Sequence, residues 1–401
     1  MGTEIFSAPG VVYQKTQTLP DACQQAIIPI IGQTGYGRNP QQTFEIFYQA
    51  FNDYYFDFTT KNVDWDAIYA EKIVLINDDI TDQELGAIMG DMVAPLKDIH
   101  IKVGFEEQEN YNTGINKLGL SQKLVKEFAD LAGLPFPIPG EMLNQTLINK
   151  TNEYVSQMHA LQWELITDYA SEETDIQYAA DGLIRWFKND GLGYLYIGAM
   201  TLGIDEDQAE TSAELAQIEL NQFDNILDTI IADLADVQGL IIDVRNNLGG
   251  SDFISLALAS RFTQNEQVHV YSKQVRLDTA RTELVDIFIS PRGQQYLGSI
   301  ALLTSNTTVS AGEVFTLAMK QLPNVTIIGE PTQGALSDVM DFPLPNGFEL
   351  GLSNEFYLSP TGEWFEHQGI PVDITIPFFT QQHRNLEIDG GIEAAIELLT
   401  Q

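Results

Sequence analysis

An α/β fold, with a mostly parallel sheet behind an N-terminal helical part, is what this 401-residue sequence predicts. Two patterns carry the prediction. Beyond residue 239 short apolar runs alternate with helical segments: Leu240–Val244 reads as a strand, Phe253–Phe262 as a helix, Ile300–Leu303 as a strand, Ala311–Leu322 as a helix and Val325–Ile328 as a strand. Strand–helix alternation makes crossover connections, and these give parallel sheets. Upstream, from Thr43 to about Lys97, the pattern is helical. Phe44, Phe47, Tyr48 and Phe51 recur at helical spacing, and Thr81 with Glu84 forms a capping box ahead of Leu85, Ile88, Met89 and Met92. Hydrophobic residues make up 44% of the chain, enough for a substantial core.

Taken in order, residues 1–40 carry Pro9, Pro20, Pro29 and several glycines and read as an extended arm. Residues 41–100 form the N-terminal helical subdomain. Residues 101–104 (IKVG) suit a short strand, and 101–190 read as a mostly helical cap or connection, broken between Gly133 and Gly140 by three prolines. An α/β core over 191–401 opens with the strand LGYLYI at 192–197. An amphipathic helix follows, with Phe223, Ile226, Leu227, Ile230, Ile231 and Leu234 on one face and Gly239 ending it. The segment LEIDGGIEAAIELL reads as a closing helix. There is no internal repeat and no low-complexity run.

The formal net charge is -37, from 57 acidic and 20 basic residues. Such a surface repels phosphate backbones and anionic lipid, which excludes nucleic acid and membrane surfaces as partners. The most apolar stretches have strand length, far short of a membrane span. The single cysteine, Cys23, allows no intrachain disulfide. No pair of histidines has zinc-ligand spacing, so neither a metal nor another cofactor is expected. The Met1-Gly2 start reads as one that replaces a removed leader, and an extracytoplasmic location, the bacterial periplasm or cell surface, is expected.

Chemistry is concentrated at two turns. In TTVSAGEVF (307–315) a buried strand gives way to a helix, and Ser310 stands at the helix start. A serine there commonly caps the helix. It also suits a nucleophile, because free N–H groups and the helix dipole favour an oxyanion at that point. Thr308 replaces the first glycine of a G-x-S-x-G elbow. In DVRNNLGG (243–250) a strand runs into paired glycines, where Gly249 or Gly250 can present a backbone N–H to the oxyanion. The base is sought among His100, His159, His269, His367 and His383. His100 lies where a helix ends and a strand begins, and His367, beside Glu366, competes with it.

Together these residues resemble the tail-specific (C-terminal processing) serine proteases, in their tricorn-core and retinoid-binding-protein-like branch. The matching pieces stand in family order: VDWDAIYA (63–70), PLKDIH (95–100), GYLYI (193–197), GLIIDVRNNLGG (239–250), TVSAGEVF (308–315), IIGEPTQG (327–334), LPNGFELGLS (344–353) and FEHQGIPVDITI (365–376). They cover roughly residues 41–400, with no sequence suggesting a PDZ domain. The resemblance implies a crotonase/Clp-protease-like spiral core of ββα units. It also implies Ser310 as nucleophile, His100 as base, Glu366 as its supporting acid, and an oxyanion hole of Ala311 with the pair Gly249 and Gly250. Two positions depart from the family. Ala335 stands where the bacterial branch has its lysine base, so a Ser–Lys dyad is not expected. Ile99 replaces the serine that relays between His and Glu in the tricorn-type branch, so Glu366 or Asp98 has to orient His100 directly or through water. The implied activity is hydrolysis of peptide bonds in unfolded or short polypeptides. The alternatives are a weakly active or inactive binding protein for a hydrophobic ligand or peptide on the same scaffold, and another acyl hydrolase.

Overall fold

In the computed structural model, which describes residues 28–401 apart from 106–109, 113, 115, 206–207 and 278–279, regular structure begins at helix α1 (Pro40–Tyr54). The Asn39 side chain accepts from the Gln42 N–H and Pro40 occupies the first turn, where no N–H is needed. The expected arm over 1–40 lies largely outside the described residues. Helix α1 buries Phe44, Phe47 and Phe51 against α2 (Trp65–Lys72) and α3 (Asp82–Val93). The Thr81–Glu84 capping box that starts α3 is present. A short strand, β1 (Lys102–Gly104), then pairs with a distant hairpin in the same cluster, where Leu344, Phe348, Leu350 and Leu352 are buried with the helices. The helical part is thus completed by chain 250 residues downstream.

Helices α4 (Leu120–Ala132) and α5 (Gln145–Thr167) follow, packed through Leu124 and Leu165. The segment read as helical up to 190 ends instead in strands β2 (Gln177–Ala179) and β3 (Ile184–Asn189). Asp190 and Gly191, both at positive φ, turn β3 back on β4 (Leu192–Ile197), with Trp186 opposite Leu195. An Asp-Gly pair flanked by apolar residues favours this hairpin, and pairing to β4 overrides the local pattern.

The rest of the core alternates as expected: α6 (Ser212–Asp233), β5 (Gly239–Asp243) and α7 (Asp252–Ala259). After an antiparallel layer of β6 (Val268–Leu277), β7 (Ala280–Arg281) and β8 (Val285–Ile289) come β9 (Ser299–Thr304), α8 (Ala311–Met319) and β10 (Val325–Gly329). Strands β11 (Val339–Pro343) and β12 (Glu349–Ser353) form the hairpin that joins β1. Strand β13 (Glu355–Leu358) pairs with β6, and β14 (Ile374–Thr375) precedes helices α9 (Gln381–Asn385) and α10 (Gly390–Leu399). The main sheet runs β14-β10-β9-β5-β4-β3-β2, parallel from β14 to β4 and antiparallel at the β3 and β2 edge. Strand β5 (GLIID) is buried along its whole length, as a central parallel strand must be. Alternation divides its residues between two cores. Leu240 and Ile242 pack with α6, α7 and α8, whereas Ile241 joins Ile392 and Ala395 of α10. The carboxyl ends of β5, β9 and β10 consequently open into neighbouring loops, 244–251, 305–310 and 330–338, where open parallel sheets build their sites.

Candidate active site

Ser310 sits at the start of α8 with φ 56 and ψ -127, a conformation that side chains other than glycine rarely adopt. Its side chain makes no cap hydrogen bond, so the helix-cap role is not filled. The turn is held elsewhere. Ser310 N–H donates to Ala335 O at 2.9 Å and Val309 N–H to Asn247 O at 3.0 Å. Thr308 Oγ1 donates to Val244 O and Ser305 Oγ to Arg245 O. The strand-to-helix turn of β9–α8 is therefore stapled onto the turn after β5. A non-glycine residue at positive φ persists only where surroundings over-determine it, as at a strained nucleophile elbow.

The paired glycines meet Ser310 across this staple. A Cβ on Gly249, whose φ is 101, would stand 2.7 Å from Ser310 Cβ, and one on Gly250 would stand 2.3 Å from Met200 O. The Gly249 N–H is already committed to Asn247 Oδ1 at 2.9 Å. Among the described residues the N–H groups of Gly250 and Ala311 have no hydrogen-bond partner. Gly249 thus provides close approach, and Gly250 and Ala311 keep donors to spare.

His100 is half-buried just ahead of β1. Its N–H donates to Asp98 Oδ1 at 2.9 Å, while its ring Nδ1 is buried without a partner among the described residues. Burial lowers its pKa below 6.5, against the opposing pull of Asp98, Asp338 and Asp252, so the ring is neutral near pH 7. Asp252 begins α7 two residues beyond Gly250, and Asp338 lies three residues beyond Ala335, whose carbonyl holds Ser310. Among the described residues no hydrogen bond joins the His100 and Ser310 side chains, and two of the carboxylates that act on His100, Asp252 and Asp338, lie a few residues from the glycine pair and from Ala335. Glu366 is buried, and its Oε2 accepts the N–H groups of Leu336 and Ser337 at 3.0 and 3.2 Å, while Oε1 has no partner among the described residues. Burial, with Asp98 and Glu313 adding to it, pushes its pKa well above the ordinary carboxylate range.

Three of the other histidines, His367, His159 and His269, are engaged in support. His367, at φ 66, ties Asp57 of the helical subdomain at 3.1 Å to the core, where its own N–H donates to Gly334 O. His159 contacts Ser121 Oγ, and His269 contacts Ser272 Oγ. Lys97 is exposed, and Lys320 reaches Pro371 O instead of the site. Arg245 and Asp243 of DVRNN are fully buried with Asp389 as an ion-paired cluster beneath the turn.

A residue the sequence reading passed over is Glu313. It is fully buried, and its carboxylate accepts from Thr332 Oγ1 (2.6 Å), Gly334 N (2.8 Å) and Ala335 N (2.7 Å). Helix α8 thereby grips the very loop whose Ala335 carbonyl fixes Ser310. The available signal was one carboxylate inside an otherwise apolar helix, AGEVFTLAM, since a buried charge needs dedicated partners.

Residues 214–376 match peptidase family S41, and residues 36–94 match the tricorn protease C1 domain. The carboxy-terminal processing protease CtpB of Bacillus subtilis is 23% identical over 185 residues, 46% of this chain and 34% of that protein. The carboxyl-terminal-processing protease of Picosynechococcus sp. is 27% identical over 207 residues, 49% of this chain and 47% of that one. The chain spans between 34% and 61% of the length of the curated relatives it matches. The crystal structure of a putative peptidase from Parabacteroides merdae superposes with a TM-score of 0.66 at 25% identity, covering 91% of this chain and 98% of that one. An α/β sheet with its strand ends at a Ser turn, behind an N-terminal helical subdomain, is thus a serine-peptidase architecture. The S41 match over residues 214–376, the tricorn C1 match and the carboxy-terminal processing relatives support a tail-specific S41 protease family for the chain.

Proposed function

We propose that this protein is a serine peptidase that cleaves peptide bonds in unfolded or short polypeptides. The observation that carries the reading is the Ser310 turn: a hydroxyl excused from capping, held at positive φ, beside two backbone N–H groups without partners among the described residues. In this reading Ser310 Oγ attacks the carbonyl carbon and its proton passes to His100. The tetrahedral oxyanion is received by Gly250 N–H and Ala311 N–H. His100 then gives the proton to the leaving amine, and water repeats the sequence on the acyl-enzyme. Glu366 supports the base from the core side. Among the described residues no helix is long and apolar enough to cross a membrane, and we place the reaction outside the cytoplasm. A second reading, a peptide- or ligand-binding protein on this scaffold, draws on the missing His100–Ser310 hydrogen bond and on Ile99. A fluorophosphonate probe separates the two. Labelling of the wild type and none of Ser310→Ala is expected, together with loss of casein or chromogenic-ester hydrolysis. Equal behaviour of the two proteins would leave the binding protein.

A further inference from the structure

The carbonyls of Thr332 and Gln368 converge on one ammonium. Lys117, in the connection between β1 and α4, donates from Nζ to Thr332 O at 2.7 Å and to Gln368 O at 2.6 Å. Among the described residues it makes no ion pair, so its charge is spent on main-chain oxygens. The fit is close. A Cβ on Gly369, whose φ is 77, would stand 2.0 Å from Thr332 O and 2.8 Å from Lys117 Nζ, so the two loops meet where no side chain can come between them. The same connection makes further contacts around the site. Asn116 Nδ2 donates to His367 O at 2.6 Å, Gln333 Nε2 donates to Lys117 O at 3.1 Å, and Leu120 N–H donates to Thr307 Oγ1 at 2.7 Å. Residues 116–120 thus hold the 305–310, 330–338 and 365–369 loops together.

The segment from Thr332 to Ala335 is therefore gripped by two opposite charges. Its donors, Thr332 Oγ1 and the N–H groups of Gly334 and Ala335, reach the Glu313 carboxylate, and its Thr332 carbonyl takes the Lys117 ammonium. Hydrogen bonds to a charged group are roughly twice as strong as neutral ones. Two carbonyl oxygens brought together without a cation repel each other. What this segment delivers is the Ala335 carbonyl, which accepts the Ser310 N–H at 2.9 Å, with Gln333 N–H on Thr308 O at 3.0 Å beside it. We infer that Lys117 is a positioning residue of the peptidase: its positive charge, acting through the Thr332 and Gln368 carbonyls, fixes the loop that sets the Ser310 hydroxyl for attack. Among the described residues Lys117 has no hydrogen bond to Ser310, so it acts through the main chain and not as a base. A misplacement of about 1 Å at reacting atoms can cost about 10²-fold in rate, which sets the scale of what the clamp protects.

This inference rests on the peptidase reading, and the test separates the two. Lys117→Met keeps the aliphatic stem and removes the ammonium. Its kcat for chromogenic-ester hydrolysis, measured on folded protein well below the melting temperature, should fall by roughly 10–100-fold, with KM within a few-fold of wild type. Lys117→Cys is made in a Cys23→Ser background, because Cys23 is the single native cysteine. It should lose as much. Alkylation with 2-bromoethylamine builds an ammonium on a stem of nearly lysine length and should return kcat to within a few-fold of Cys23→Ser, whereas the neutral group left by iodoacetamide should not. Burial lowers the Lys117 pKa below 10.5, against the pull of Glu313 and of Glu330, which itself pairs with Lys123. Wild-type kcat should therefore decline on a basic limb below pH 10.5 that Lys117→Met lacks. A wild-type kcat in Lys117→Met, no recovery on aminoethylation, or equal recovery with iodoacetamide overturns the assignment while the peptidase stands. If neither Lys117 variant folds, the wild-type limb decides, and a kcat constant up to pH 10.5 overturns it. Failure of Ser310→Ala to abolish hydrolysis instead removes the peptidase reading itself.

Discussion

At the scale of single residues the site depends on close approaches that tolerate no added atom. Gly249 combines a φ of 101 with a Cβ position 2.7 Å from Ser310 Cβ and 3.1 Å from Val309 O. Gly249→Ala is therefore strained in its own backbone and pushes the nucleophile off its turn. It should cost about 1–3 kcal/mol in stability and lower kcat/KM more than KM alone explains. Thermal melting beside ester hydrolysis tests this, and wild-type values in both would show that the turn yields more easily than its contacts suggest. His100 gives a pH expectation. Burial favours its neutral form, so the base is available below the ordinary histidine value and the acidic limb of kcat/KM should lie below pH 6.5. A limb above 6.5 would mean that Asp98, Asp338 and Asp252 outweigh burial.

At the scale of elements, the grip of α8 on the 332–335 loop is what converts a helix start into a site. Burial raises the Glu313 pKa from 4.5 to about 6, against the three hydrogen bonds and Lys117 that favour the charged form. The native state therefore binds more protons than the unfolded chain between those values. Stability from this group is fully present below about pH 4.5 and is lost as pH rises through about 6, a difference of about 2 kcal/mol. Glu313→Gln removes that dependence. It also leaves one of three donors facing an NH2, at a cost of about 1–3 kcal/mol. Unfolding free energies for both proteins between pH 4.5 and 7 should converge as pH rises, and parallel curves would show that Glu313 does not titrate there. The elements themselves were legible where local pattern and tertiary need agreed. The β5–α7 and β9–α8 units and the Thr81 cap match the sequence reading to within a few residues. What escaped it was paired at long range. Strand β12, paired with β11, joins β1 across about 250 residues, and β3 shows its nature only through β4. Of the site, Ser310 and the glycines were legible from a turn between apolar runs. That Gly249 spends its N–H on Asn247 depends on folded geometry that no local spacing encodes.

At the scale of the whole molecule, the helical subdomain and the core are joined at the site, and the charge of the chain acts on both. The Asp57–His367 contact, the Asn116 side chain on His367 O and the Lys117 ammonium on Thr332 O and Gln368 O lie within one short stretch of the core. Against this local stitching stands a formal net charge of -37. With 57 acidic and 20 basic residues, one-to-one pairing would still leave 37 carboxylates uncompensated, so repulsion over the surface outnumbers the ion pairs available to offset it. Salt at about 0.15 M shortens the range of such forces to about 8 Å and at 1 M to about 3 Å. Screening weakens exposed pairs such as Lys126–Asp130, each worth about 0–1 kcal/mol at most. It leaves the buried Asp243–Arg245–Asp389 cluster nearly untouched. The repulsive sum should therefore fall faster than the attractive one, and the melting temperature should rise as sodium chloride is raised from 10 mM to 0.5 M at pH 7.5. Sodium chloride distinguishes charge screening from the general strengthening of burial that sulfate brings, so both salts are compared at equal ionic strength. A melting temperature that falls with sodium chloride would show that the few cations, not the many carboxylates, set the electrostatic balance of the fold.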